Sequence, residues 1–226
     1  MNKYAIIVAG GNGSRMGSDI PKQFMEINGV PMLYFSLQKF YEADRSTKII
    51  LVLPDNYISY WENHKLFSEI PHNIIAGGEE RFFSVLNALH YIESQYQGQA
   101  LVAIHDAARP LVSTTLINHS FEAALLNGAV VPAIPIPFSM RTKVGPIWKA
   151  TDRKNYINIQ TPQVFNLLLL LEAYQQAYTP AFTDDASVFE AAGHTISIID
   201  GEELNLKVST PLDFEWVCWK MSNNAV

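Results

Sequence analysis

Between residues 4 and 136, apolar β-rich runs alternate with stretches of helical period, and this alternation constrains the fold more than any other feature of the chain. The apolar runs are "YAIIVAG", "KIILVLP", "HNIIAGG", "ALVAIHD" and "AVVPAIPI"; the helical stretches between them cover 31–42, 57–67, 81–93 and 114–127. Strands apolar on both faces and joined by helices imply an α/β fold, a mostly parallel sheet with helices on both faces. Such sheets bind ligands beyond the carboxyl ends of their strands. Three loops there are small or polar: "GGNGSRMG", "GGEERFFS" and "HDAARP".

The pattern breaks at 137–160, where Pro, Gly and alternating residues replace the helical period and predict a protruding β-arm. Helical period returns at 166–178 and 184–192. Strand-like "TISIID" and "LKVS" follow, then a last amphipathic helix from Pro211.

The chain has 226 residues, 48% of them hydrophobic, enough for one domain over 1–226 with a substantial core. Its 16 Lys+Arg against 22 Asp+Glu leave a net charge of -6, which supplies no field for a nucleic-acid backbone. Cys218 is the single cysteine, so no intrachain disulfide forms and a cytoplasmic location is expected. No apolar stretch reaches the ~20 residues that span a bilayer, so no membrane association is expected. No protein-borne metal site is expected either: His105 and Asp106 are adjacent on a strand and point to opposite faces, which makes His105 a packed core residue.

The glycine loop fits neither common nucleotide template. The spacing of a Walker-type loop is absent, and in the dinucleotide fingerprint counted from Gly11 the third position is Gly13 but the sixth is Met16. Gly10, Gly11 and Gly13 by themselves are explained by a tight strand-to-helix corner. Arg15 and Lys22 point further: two cations close behind the glycines, with Pro21 restraining the backbone before Lys22, suit a polyphosphate held by loop amides.

"AGGNGSRMGSDIPKQF" resembles the signature loop of the nucleotidyltransferases that join a nucleoside triphosphate to a phosphorylated sugar or polyol. With "GGEERFFSV", "HDAARP", the "DR" at 152–153, "QTPQVF", "TDDAS" and "NLKVSTP", nearly the whole chain is similar to the 2-C-methyl-D-erythritol 4-phosphate cytidylyltransferases of non-mevalonate isoprenoid biosynthesis. The resemblance implies a Rossmann-like fold and a homodimer that exchanges β-arms. It also implies a reaction in which a phosphate oxygen of the polyol phosphate attacks the α-phosphorus of CTP and pyrophosphate leaves. The nucleophile is already anionic, so catalysis rests on positioning and fixed positive charge. Arg15 and Lys22 then stabilise the transition state, with Mg2+ or another divalent cation carried by the CTP phosphates. Ala9, Gly10, Gly11, Gly13, Gly78, Glu79 and Ser84 surround the nucleotide, with Asp106 and Ala107 at the ribose. Asp106, Arg109, Thr161, Thr183 and Lys207 meet the polyol phosphate, joined by Arg153 and Ser139 from the arm.

Several of these residues have a plainer reading. Asp106 and Arg109 suit a simple ion pair, Lys207 an edge-strand charge, Thr161 and Thr183 turn or cap positions, and Asp152 with Arg153 a solvated pair. Two stretches depart from the family pattern: Glu79 stands where Asp is common, and Phe138, Ser139, Met140 and Arg141 stand where Asp-Thr, an apolar residue and Lys are usual. A cytidylyltransferase for another polyol phosphate such as ribitol 5-phosphate, a sugar-1-phosphate nucleotidyltransferase, and a non-catalytic nucleotide-binding module share parts of the pattern.

Overall fold

In the N-terminal strand Ala5 and Ile7 turn to one side and Tyr4 and Ile6 to the other, and all four are at most 3% exposed. A strand with no wet face belongs in the middle of a sheet. The computed structural model, which describes residues 1–10, 20–96 and 98–223, has it there. In chain order the strands are β1 (Asn2–Val8), β2 (Glu26–Ile27), β3 (Val30–Pro31), β4 (Lys48–Leu53), β5 (Asn73–Ala76), β6 (Ala100–Asp106), β7 (Ala129–Pro135), β8 (Met140–Val144), β9 (Ile147–Thr151), β10 (Ile157–Ile159), β11 (Gln163–Asn166) and β12 (Ser197–Asp200). The helices are α1 (Met32–Ala43), α2 (Asp55–Glu62), α3 (Arg81–Gln95), α4 (Thr114–Asn127), α5 (Leu167–Ala173), α6 (Asp185–Ala191) and α7 (Pro211–Asn223).

Eight strands form one sheet in the order β5, β4, β1, β6, β11, β7, with β12 beyond β7 and β10 continuing along the same side of β7 as β11. β4, β5 and β6 run parallel to β1, and β12 runs parallel to β7, while β10 and β11 are antiparallel insertions. The sheet is therefore mostly parallel, as the alternation required. One face packs Leu37 and Phe40 of α1, Trp61 of α2 and Phe121 of α4; the other packs Val85 and Leu89 of α3, Leu170 of α5 and Phe189 of α6. α7 covers a smaller cluster that joins Val217 to Ile27 and Val208.

From β1 the chain steps outward to β4 and β5 on one side, and α3 then carries it back across the other face to β6 on the opposite side of β1. The strand order reverses between β1 and β6, which opens a crevice at their carboxyl ends.

Some elements depart from the sequence reading. β11 had no counterpart in it: a four-residue run behind Pro162 carries too little pattern, yet it fills the gap between β6 and β7 and buries Val164 and Phe165 fully. "LKVS" is not a strand, because Val208 donates its N–H to Ala108 O at 2.8 Å in a loop. α2 ends at Glu62, where Asn63 Nδ2 takes the Ser59 carbonyl at 2.7 Å, and α5 ends at Ala173 rather than near 178.

The projecting hairpin is narrower than 137–160. β8 and β9 pair through a two-residue turn with Gly145 at φ +60°, the first position of a type II′ turn. Ile157, expected in the arm, lies in β10 in register with Pro135 of β7 in the main sheet. Among the described residues no helix is long and apolar enough to cross a membrane.

Phe165 ties the antiparallel insertion to the core, with its ring 5.1 Å from Phe189. Phe165→Ala is expected to cost about 3–5 kcal/mol of unfolding free energy, read from urea denaturation.

Candidate active site

The ends of β1 and β5 meet the first turn of α3. Ala9 donates its N–H to Val52 O at 2.9 Å and accepts at its carbonyl from Gln23 Nε2 at 2.6 Å, which fixes the chain as it leaves β1. Gly10 and Gly77 both face Ser84: a Cβ on either would lie 3.1 Å from Ser84 Oγ. Gly78 donates its N–H to the same oxygen at 3.1 Å, and a Cβ on Gly78 would sit 2.4 Å from Phe83 Cβ, so the position takes glycine alone. Gly10, Gly78 and Ser84 thus converge, with Glu79 exposed at the rim. Gly11, Gly13 and Arg15 lie outside the described residues.

At the end of β6 the strand's period of two divides its last residues. His105 follows Leu101 and Ala103 to the α1 face, where its ring lies 5.3 Å from Phe40. Asp106 follows Val102 and Ile104 to the α3 face. The Arg109 carbonyl can only accept, so His105 Nε2 donates to it at 3.2 Å; Nδ1 of the neutral ring then accepts from the Thr161 hydroxyl at 3.1 Å, and Thr161 Oγ1 accepts from the Asp106 N–H at 3.1 Å. This chain of bonds satisfies a neutral imidazole. Burial, only partly opposed by Asp106, pushes the His105 pKa down to about 4.

Three cations surround the Asp106 carboxylate. Lys207 Nζ lies 2.7 Å and Arg109 Nε 3.8 Å from Oδ2, and Arg81 Nε lies 3.3 Å from Oδ1. Burial raises the Asp106 pKa, but Arg81, Lys207 and Arg109 outweigh it and hold the carboxyl well below the usual range. Asp106, Arg109, Thr161, Thr183 and Lys207 line one cavity of about 280 Å³, together with Arg81, Gln163 and Asp184. All five acceptor-side residues expected outside the arm therefore share one space.

The loops of this cavity are tied to one another. Arg109 Nη1 and Nη2 donate to Asn205 O and Ile159 O at 2.8 and 3.3 Å. Its buried Nε has no hydrogen-bond partner among the described residues, a donor suited to a ligand oxygen. The Gln160 amide pairs with both backbone groups of Glu202, at 3.0 and 2.7 Å, like an added strand. Gly201 makes room for it, since a Cβ there would lie 2.4 Å from Gln160 Oε1. Lys22 Nζ reaches Val208 O at 2.8 Å, which sets it beside the Lys207 segment rather than on a distant surface. Ala107 joins β6 to β1 through its N–H to Val8 O at 3.0 Å.

Ser139 and Arg153 are not brought to this cavity within the chain. They line a separate groove of about 720 Å³ along the arm, with Met140, Arg141, Trp148 and Asp152. Arg153 is exposed and donates to Pro137 O, and Asp152 accepts from the Lys154 amide at 3.0 Å, so the 152–153 stretch is a local turn.

Arg81, Gln163, Asp184 and Asp185 were missed by the sequence reading. Asp184 caps α6 and accepts from Gln163 Nε2 at 2.7 Å; Asp185 grips Arg81. Arg81 stands in "GGEERFFS", Gln163 in "QTPQVF" and both aspartates in "TDDAS", but nothing in a linear sequence sets Arg81 against an aspartate 104 positions away. Among the described residues no three His, Cys, Asp or Glu side chains group as a metal site.

The family model for 2-C-methyl-D-erythritol 4-phosphate cytidylyltransferase (IspD) matches residues 4–219. The chain is 45% identical over 217 residues to a protein of that name from Phocaeicola vulgatus, covering 95% of this chain and 97% of the relative. It is 42% identical to one from Bacteroides fragilis, with coverage of 95% and 97%. The structure of the Francisella tularensis 2-C-methyl-D-erythritol 4-phosphate cytidylyltransferase superposes with a TM-score of 0.77 at 32% identity, covering 97% of this chain and 100% of the other. That of the Thermus thermophilus enzyme gives 0.77 at 26% identity, covering 99% and 100%.

The buried neutral His105 predicts a pH dependence of stability. Its pKa is 6.5 when free and about 4 when folded, so below 6.5 the unfolded chain takes up a proton that the folded chain refuses. Stability is full above that pH and falls as pH drops, by about 2 kcal/mol between pH 7 and pH 5. His72, also lowered by burial, adds a slope of the same sign, whereas Asp106 contributes only below the free carboxylate range. Urea denaturation at the two pH values is expected to show the loss, and His105→Gln to reduce it.

Proposed function

Because the chain belongs to the 2-C-methyl-D-erythritol 4-phosphate cytidylyltransferase family, we propose that its two convergent clusters are the halves of one active site. The enzyme transfers a cytidylyl group from CTP to 2-C-methyl-D-erythritol 4-phosphate in isoprenoid precursor biosynthesis. The observation that carries the assignment of the halves is the cavity shared by Asp106, Arg109, Thr161, Thr183 and Lys207. The first turn of α3 joins it to the cluster of Gly10, Gly78 and Ser84, since that turn carries both Arg81 and Ser84.

In this reading the Gly78 and Ser84 end, with Glu79 and Ala9, reads cytosine; Gly10, Gly11, Gly13, Asp106 and Ala107 follow the ribose and phosphates. Arg15 and Lys22 neutralise the charge that grows on the α-phosphoryl oxygens and departing pyrophosphate. Lys207 and Arg109 draw the acceptor phosphate in and align one oxygen with the α-phosphorus, while Thr161 and Thr183 accept polyol hydroxyls. No side chain removes a proton, because the attacking phosphate oxygen is already anionic. A divalent cation such as Mg2+, bound through the CTP phosphates, would supply counter-charge to them. The reading takes 1–226 as one catalytic domain acting in the cytoplasm.

The arm completes the site from a second subunit. Val144, Ile147 and Trp148 are 46–60% exposed on a two-stranded hairpin that has no core of its own. A homodimer that exchanges arms covers them and carries Arg153 and Ser139 to the partner's acceptor cavity, where the planar guanidinium grips two phosphate oxygens and leaves the third to attack.

Pyrophosphate release tests the reaction. It is expected with CTP and 2-C-methyl-D-erythritol 4-phosphate and to fall sharply with UTP, which leaves base-reading groups unpaired. Equal turnover with ribitol 5-phosphate would favour the sibling activity instead.

Mixed dimers test the arm. Lys22→Ala is expected to cost about 10²–10³ in turnover and Arg153→Ala to be similarly impaired. Combining the two inactive proteins restores activity if Arg153 acts in trans, since one site of each mixed dimer regains both residues; activity that stays absent places Arg153 in its own subunit's site.

A further inference from the structure

Arg81 is the first residue of α3, where the free amides of the helix already carry positive charge and a cation is disfavoured. Anions on two sides hold it there. Nη1 and Nη2 grip Asp185 fork to fork at 2.8 and 2.6 Å, and Nε lies 3.3 Å from Asp106 Oδ1. Asp185 is fully buried and also accepts from the Tyr174 hydroxyl at 2.7 Å. The charges Asp185, Arg81, Asp106 and Lys207 therefore alternate in sign from α6 through α3 and β6 to the loop after β12.

We infer that Arg81 is a positioning residue for the acceptor half of the site: by holding Asp106 Oδ1 it fixes the rotation of that carboxylate, and Oδ2 in turn holds Lys207 in the cavity. The inference rests on the acceptor cavity proposed above. An arginine that only bridged α3 to α6 would need no more than its two bonds to Asp185. The third donor is turned to the end of β6 instead, and the side chain, 28% exposed, lines the cavity. Asp106 is faced by Arg81 from α3, by Lys207 from the 201–207 loop and by Arg109 from its own loop, while His105 turns away to α1. Burial alone would raise the Asp106 pKa, and the charges of Arg81, Lys207 and Arg109 lower it. Its loss leaves Asp106 easier to protonate, and a protonated Asp106 releases Lys207.

Arg81→Gln alone strands the buried Asp185, so the test uses the charge-balanced Arg81→Gln/Asp185→Asn enzyme, with Asp106→Asn as reference. The double variant is expected to melt cooperatively and, because Asp106 also lies at the ribose whereas Lys207 serves the acceptor, to weaken CTP in equilibrium binding by a smaller factor than it impairs the acceptor. Its kcat/KM for the polyol phosphate is expected to fall by between about ten- and a hundredfold. The acceptor phosphate itself titrates near pH ~6 and bends both profiles, so the ratio of variant to wild type is read; it falls further as pH drops from 8 to about 5.5. Arg81→Lys/Asp185→Asn, which returns a cation beside Asp106, is expected to flatten that ratio. The inference is overturned by normal acceptor kcat/KM with a flat ratio, by a CTP affinity that changes as much as the acceptor KM, or by a double variant that does not fold. If Asp106→Asn itself leaves acceptor kinetics unchanged, the acceptor-cavity reading fails and takes this inference with it; if Asp106→Asn is impaired and the double variant is not, the positioning role alone fails.

Discussion

The carboxylate of Asp106, 10% exposed at the end of β6, has to meet three cations at once, and much of the surrounding structure follows from that requirement. Charges removed from water are tolerated only when each has partners. Arg81 is therefore backed by Asp185, which anchors the start of α6. Arg109 is backed by the carbonyls of Asn205 and Ile159, which bind the loop after β12 to the end of β10. Segments with no shared neighbourhood in sequence are fixed to one another by the need to keep four buried or half-buried charges satisfied.

The sheet decides where that cluster stands. Because β1, β4 and β6 are buried on both faces, they form a rigid platform, and the reversal of strand order between β1 and β6 leaves their carboxyl ends open. The period of two then assigns adjacent residues opposite tasks. His105 enters the α1 face as a neutral hydrogen-bonded core group, and Asp106 turns to α3 and the cavity. Thr161 links the two, accepting from the Asp106 amide while donating to His105, so the loop before β11 is registered against the strand it serves.

A cavity with Arg81, Arg109 and Lys207 against Asp106 and Asp184 is suited to an anion that also carries hydroxyls. On the proposed reading the cations draw in the phosphate, and the fixed carboxylates limit how it can turn. On the proposed reading Lys22 joins this cavity to the triphosphate, because its ammonium already lies on the main chain next to Lys207. The arm has a different logic. Its exposed Val144, Ile147 and Trp148 have no cover among the described residues, and its Arg153 and Ser139 stand in a groove of their own, so on the proposed reading the arm is the part of the molecule whose role depends on a second subunit.

Much of this was legible in the sequence where the chemistry is local. Short continuous apolar runs alternating with helical stretches specified strands buried on both faces, since a strand without a polar face needs helices on both sides of its sheet. The motifs "GGEERFFS" and "HDAARP" named residues that do stand together, because each lies within one strand-to-helix turn. The sequence also separated His105 from Asp106 by strand geometry alone. What it did not carry was pairing at long range. β11 is too short to announce itself, and its place between β6 and β7 is decided by the gap it fills. "LKVS" reads as a strand by composition, yet hydrogen bonds to Ala108 and Lys22 hold it as a loop. Arg81 is in sequence one charge among three at a helix start, and only the fold sets Asp106 and Asp185 on either side of it. Hydrophobic period is written in neighbouring residues, so the sequence by itself determined which runs are strands buried on both faces; strand order and the partners of a buried charge come from segments far apart in the chain, so only the tertiary structure decided the site.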